Sequence, residues 1–264
     1  MDMQLTDRRA LITGSTSGIG YSIARSLAAE GAQVTLTGRT QARVDAALAK
    51  LKDEVPGAKA NGVAADCATS AGAEQVFAQV TETDILVNNL GIYERKPFLE
   101  IPDEDWTRFF EVNVMSGVRF SRFYAPKMVD RKWGRIIFVS SESGLFIPTD
   151  MIHYGFSKTA QLSISRGLAM ELGGTGVTVN ALLPGPTRTE NSDRMREERA
   201  KAAGISMAQL EQTFFEKLRP SSILKRFADA DEVAPLAVYL CSPLSALTNG
   251  SALRVEGGIV NQIT

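Results

Sequence analysis

The chain has 264 residues, 44% of them hydrophobic and 22% charged, which is enough to bury a large core and requires no second domain. A net charge of −1, with both signs mixed along the chain, excludes the electrostatic footprint of a nucleic-acid or acidic-membrane binder. No apolar run approaches the roughly 20 residues that cross a bilayer, and no ligand cluster suits a metal. The start "MDMQLTDRRALITG" has no signal pattern, and two distant cysteines, Cys67 and Cys241, read as small buried side chains; the expected location is a reducing cytoplasm.

In chain order, short apolar or β-branched runs alternate with longer stretches of helical period. Residues 9–14 read as a strand that runs into "TGSTSGIG", residues 13–20, and a helix over 19–30. Glycine at such a turn lets backbone approach a diphosphate, and the helix's unpaired N–H groups and positive dipole end favour the anion. Gly14, Ser17, Gly18, Ile19 and Gly20 are therefore candidate dinucleotide contacts. The second strand, 33–37, ends just before Arg39, and no acid stands between Val34 and Arg43. An acid there reads a free ribose 2′-hydroxyl, whereas arginine grips a 2′-phosphate, so NADP(H) is favoured over NAD(H).

A helix over 43–54 leads to a strand over 60–66, whose Asp66 either hydrogen-bonds an adenine amino group or caps the following turn. After a helix over 73–82, the fourth strand, 84–89, closes in "NNLG", residues 88–91. Here Asn88 and Asn89 either contact ribose or tie adjacent strands together, and Asn88 and Gly91 are the candidate contacts.

A long helix over 103–130 precedes the fifth strand, 134–140, which delivers "FVSSESG" at its carboxyl end. Ser141 stands 13 residues before Tyr154, and Lys158 lies four residues after Tyr154, on the same face of a helix over 154–172. A phenol can give a proton to a carbonyl oxygen, a serine hydroxyl can hold that oxygen, and a neighbouring ammonium favours the phenolate. Tyrosine ordinarily titrates near 10, and each unit of lowering reflects about 1.4 kcal/mol in favour of phenolate. Lys158 also has donors for nicotinamide ribose hydroxyls, and a hydride on the nicotinamide would complete carbonyl reduction. Ser140 and Ser143 read as local hydrogen-bonders and Glu142 as solvent-exposed. His153 lies about 100° round the helix from Tyr154, with no "GxSxG" elbow to pair it, and reads as a pocket-rim or surface side chain.

The sixth strand spans 177–184. From 187 to 226 the chain is long, polar and mixed in charge, either a solvated helix pair or a mobile lid whose inner face is Phe214, Phe215 and Leu218. A helix over 231–240 and a strand over 251–257 follow. Near-continuous apolar strands joined by helices imply an α/β doubly wound parallel sheet of about seven strands, with residues 1–264 as one domain. Ligands of such a sheet sit beyond the carboxyl ends of its strands.

These motifs, in their order and spacing, resemble the single-domain branch of the short-chain dehydrogenase/reductase family across essentially the whole chain. Thr13, Gly14, Gly18, Ile19 and Gly20 match its glycine signature, "NNLG" its "NNAG" with Leu90 as a departure, and "VEGG" at 255–258 its closing turn. The resemblance implies that Asn113 in "FEVNVMSG" supports a water linked to Lys158, completing a set with Ser141 and Tyr154, and that Asp66 contacts adenine. It puts Pro184 and Gly185 of "NALLPGPTRT" beside the nicotinamide, Thr187 or Thr189 near its carboxamide, and a homodimer or homotetramer on the helices at 103–130 and 154–172. It further implies an NADP(H)-dependent oxidoreductase of a small carbonyl or alcohol, in general appearance like the 3-oxoacyl carrier-protein reductases. No basic patch for an acidic carrier is evident, because Arg194, Arg196, Arg199 and Lys201 are interleaved with Glu197 and Glu198. The alternatives are an NAD(H)-dependent alcohol, sugar or steroid dehydrogenase and a non-catalytic dinucleotide-binding regulator.

Overall fold

A computed structural model describes residues 1–263. Seven parallel strands form one sheet: β1 (Arg9–Ile12), β2 (Gln33–Gly38), β3 (Ala60–Ala64), β4 (Ile85–Asn88), β5 (Gly134–Val139), β6 (Val177–Pro184) and β9 (Ala252–Val255). Their spatial order is β3-β2-β1-β4-β5-β6-β9, the doubly wound Rossmann arrangement. The order reverses between β1 and β4, and the crevice at such a switch point, outside the carboxyl ends of the strands, is where this fold binds ligands.

Strand pleating distributes side chains to both faces. Ile12, Val87, Ile137 and Leu182 pack with Ile23 and Leu27 of α1 (Gly18–Ala29), Leu51 of α2 (Gln41–Glu54) and Val233 of α9 (Ala230–Cys241). Their chain neighbours Leu11, Leu86, Ile136 and Phe138 face the other way. They meet Val76 of α3 (Ser70–Gln79), Phe120 and Tyr124 of α5 (Ser116–Asp130) and Ala169 of α6 (Ile152–Glu171). Every residue of β5 and β6 is buried, as expected of strands covered on both faces. Both cysteines are buried, as their spacing led one to expect.

The region read as one helix over 103–130 is α4 (Asp103–Phe109) and α5 joined by a wider π-helical turn, Phe110–Met115. Such turns inside a helix recur at functional sites, and this one carries Asn113. Between β6 and α9 the chain forms β7 (Thr187–Arg188), α7 (Glu190–Ala203), α8 (Met207–Thr213), a π-turn (Phe214–Leu218) and β8 (Ala228–Asp229). β7 and β8 pair in parallel, so this excursion leaves and rejoins the body at one place. Phe214 and Phe215 cluster with Phe227, but Leu218 is 39% exposed and does not share an inner face with them. Among the described residues no helix is long and apolar enough to cross a membrane.

Candidate active site

The first half of the site is a backbone cradle between β1 and α1. Gly14 and Gly18 both have positive φ, 61° and 60°, which glycine adopts without strain. Gly20 is needed for another reason: a Cβ there would lie 2.3 Å from Asn89 Nδ2 and 2.8 Å from the Gly14 carbonyl oxygen. That Asn89 amide donates to the carbonyls of Thr13 and Gly14 at 2.9 Å each, fixing the turn; Asn89 is thus the strand tie. Ser17 precedes the helix with no side-chain cap, and the first turn of α1 holds no acid. Its N-terminal N–H groups and dipole are left for an anion. These features fit a dinucleotide diphosphate.

The surrounding candidates divide. Arg39 is exposed at the end of β2, and Asp66 is exposed with its Oδ1 accepting the Ala68 N–H at 3.1 Å, the turn-capping arrangement. Asn88 is buried, donates to Ser121 Oγ at 3.1 Å, and has no partner for Oδ1; its amide is committed to α5. Ile19 is half-buried against the core. Gly185 follows Pro184 so closely beside Glu256 that a Cβ would meet its backbone at 2.8 Å. The Thr187 hydroxyl donates to the Gly185 carbonyl, whereas the Thr189 methyl packs over Gly18, so Thr189 stands at the glycine turn.

The second half is a corner of side chains past the end of β5. Ser141 is in extended conformation and its Oγ accepts the Ser143 N–H at 3.1 Å, leaving its O–H free to donate. Tyr154 lies half-buried in the first turn of α6, its phenol within reach of the Ser141 hydroxyl. Burial pushes the phenol's pKa well above 10, Ser141 pulls it back, the Glu142 charge raises it and Arg219 lowers it. Lys158 Nζ is 5.7 Å from the Tyr154 ring centre, and it donates to the Val139 carbonyl at 2.9 Å and to Gln161 Oε1 at 3.2 Å. Burial alone pushes its pKa down to about 7. Gly91 is the close approach above it, since a Cβ there would stand 3.4 Å from Nζ. Asn113 is fully buried. Its Oδ1 accepts the Ile92 N–H, and its Nδ2 donates to the Ile92 carbonyl and Ser157 Oγ.

Two expectations about this corner need correction. His153 is neither at the rim nor on the surface: it is 0% exposed, edge-on to Phe109 at 4.2 Å and Trp106 at 6.2 Å. Neither ring nitrogen has a partner, and burial holds its pKa below the usual value, so it packs as a neutral aromatic. Glu142 is not exposed either. Arg219, at the root of the excursion, donates to Glu142 Oε1 from Nε at 3.3 Å and Nη2 at 3.1 Å, with both side chains 5% exposed. Burial raises the Glu142 carboxyl and Arg219 opposes it.

Sequence reasoning missed Gln161, Arg219 and Tyr93. The Tyr93 ring stands edge-on to Tyr154 at 6.4 Å, and its hydroxyl accepts from Asn191 of α7 at 3.2 Å. Gln161 carried a faint signal, lying one turn after Lys158 on the same helix face. Arg219 and Tyr93 carried none, because their partners are remote in sequence.

A glycine cradle at the switch point, with a serine, a tyrosine and a lysine converging beside it, defines a nucleotide-dependent oxidoreductase, and residues 8–200 match the family model for short chain dehydrogenase. The chain belongs to the short-chain dehydrogenase/reductase family and is an NAD(P)-dependent oxidoreductase. It is 44% identical to the uncharacterized oxidoreductase YvaG of Bacillus subtilis (strain 168), with both chains covered completely. To a 3-oxoacyl-[acyl-carrier-protein] reductase of Aquifex aeolicus it is 31% identical, over 98% of this chain and 100% of the other. The solved L-sorbose reductase of Gluconobacter frateurii, complexed with NADPH and L-sorbose, superposes over both whole chains with a TM-score of 0.93 at 33% identity.

Proposed function

We propose that this enzyme uses NADP(H) to interconvert a ketone and a secondary alcohol on a small polar, sugar-like substrate. The observation that carries the reading is the meeting of the Ser141 hydroxyl, the Tyr154 phenol and the buried Lys158 ammonium past the end of β5. A bound nicotinamide dinucleotide supplies or accepts the hydride. In reduction the Tyr154 O–H bond breaks and its proton goes to the substrate oxygen, which Ser141 holds with its free O–H; in oxidation the proton returns. The Lys158 Nζ stands 5.7 Å from the Tyr154 ring centre, where its protonated form favours the phenolate, and Asn113 holds the Ile92 backbone over this corner through two hydrogen bonds, with a third to Ser157 Oγ.

Preference for the phosphorylated cofactor is supported by Arg39, exposed past β2 and in no ion pair among the described residues. Support for a polar substrate comes from the likeness to a sorbose reductase along the entire chain. A carrier-protein thioester is disfavoured because Arg188 and Arg196 of the excursion are neutralised by Glu211 and Asp193. The test follows NADPH absorbance against ketoses, simple ketones, 3-oxoacyl thioesters and steroids. The highest kcat/KM is expected on a ketose, and a thioester preference overturns the substrate reading. Tyr154→Phe should lower kcat about 10²–10⁴-fold while NADPH still binds. Arg39→Ala should weaken NADPH about tenfold and NADH little; equal weakening of both overturns the cofactor reading.

A further inference from the structure

The family resemblance implies a water joining Asn113 to Lys158. In the structure a side chain connects the same two residues. Gln161, 1% exposed, accepts from Lys158 Nζ through Oε1 at 3.2 Å and donates through Nε2 to the Asn113 backbone carbonyl at 2.6 Å. The second bond fixes the first: with Nε2 committed to a carbonyl, Oε1 must face the lysine, and the amide cannot flip without setting two acceptors against each other. The Asn113 side chain is turned elsewhere, its two donor hydrogens going to the Ile92 carbonyl and Ser157 Oγ and its oxygen accepting the Ile92 N–H.

We propose that Gln161 is a positioning residue for the reaction, an amide strut that spans from the Asn113 carbonyl to Lys158 and holds the ammonium in place in its charged form. The proposal rests on the carbonyl–alcohol reading above and deepens it.

The chemistry of the corner explains why such a strut matters. Lys158 is 4% exposed, and burial lowers it to about 7. Its surroundings are the Val139 carbonyl of β5, Gly91 from the loop after β4, the π-turn through Gln161, and Tyr154 on its own helix. The charged groups at this corner, Glu142 from the loop after β5 and Arg219 from the excursion, are paired with each other and bear on Tyr154. With no carboxylate to hold the ammonium, two neutral acceptors do so, and Gln161 is the one a substitution can remove. An amide neither gains nor loses a proton near neutrality, so Gln161 orients Lys158 and carries no proton itself.

The test has a readout independent of turnover. Lys158 is titrated by NMR in isotopically lysine-labelled protein without cofactor, its resonance assigned by its loss in Lys158→Arg. Gln161→Leu should lower the Lys158 midpoint by about one pH unit, and Gln161→Glu, which puts an anion at the same acceptor position, should raise it by at least as much. The alkaline limb of kcat/KM against pH should move with each midpoint, since the ammonium is the working form. If Gln161→Leu does not fold, Gln161→Met takes its place. An unmoved midpoint in the apolar variant, or a shift in the same direction in both variants, overturns the strut. Absence of turnover with the opposed NMR shifts intact would sink the reaction assignment and leave the strut standing.

Discussion

The nucleotide turn and the chemical corner share one edge of the sheet but are made of different material. In the turn the backbone dominates: two glycines at positive φ, a helix N-terminus without a cap, and one asparagine amide stitching carbonyls together. In the corner the side chains dominate, drawn from the loop after β5, the π-turn, α6 and the excursion, with an ion pair between residues 77 apart in sequence. The turn needs its own dozen letters and a few remote side chains, chiefly the Asn89 amide. The corner exists only when distant segments have packed, and it keeps ionisable groups out of water, which makes it the more fragile of the two.

The sharpest challenge to that contrast is Arg219→Met. It strands the Glu142 carboxylate in the interior, and loss of about 3–5 kcal/mol is expected in denaturant unfolding. Adding Glu142→Leu should recover most of it, since removing a buried pair altogether is often near neutral. A loss below about 1 kcal/mol in the single variant would mean that the corner does not depend on the excursion. On the turn side, Gly20→Ala drives a methyl into Asn89 Nδ2 and the Gly14 carbonyl. We expect a cost of about 1–3 kcal/mol, with weakened dinucleotide binding by calorimetry. Unchanged binding would show that the cradle tolerates a side chain.

The smallest effect concerns pH. A lysine lowered to about 7 in the folded state titrates near its ordinary 10.4 when unfolded, so between those values the unfolded chain binds more protons and stability rises with pH. Its burial penalty is complete below pH 7 and fades toward pH 10. The stability advantage of Lys158→Met over the parent should therefore shrink by about 1.4 kcal/mol between pH 7.5 and 8.5. A constant difference across that interval would place the charge on the solvent side of the corner.

The same contrast explains what could be read beforehand. All seven strands of the main sheet and the helices between them were legible, because apolar runs and helical periods are local signals. So was the glycine cradle. The expected strand over 60–66 overruns the observed one by two residues, because Ala65 and Asp66 keep the pattern of a strand end while the ladder stops at Ala64. The helix over 103–130 concealed its π-turn because one inserted residue barely disturbs an apolar stripe. His153 and Glu142 were misjudged for a shared reason: a polar letter is priced as exposed unless its enclosure is visible. The aromatic wall around one and the arginine opposite the other both arrive from elsewhere in the chain.

The bond between Glu142 and Arg219 also constrains how such a sequence can change over time. Each charge is balanced by the other, with Ser143 and Leu218 adding neutral hydrogen bonds, and either lost alone leaves a buried charge without its counter-ion. The physics therefore favours exchanging the two together over exchanging either alone, which couples the loop carrying Ser141 to the excursion that carries Arg219.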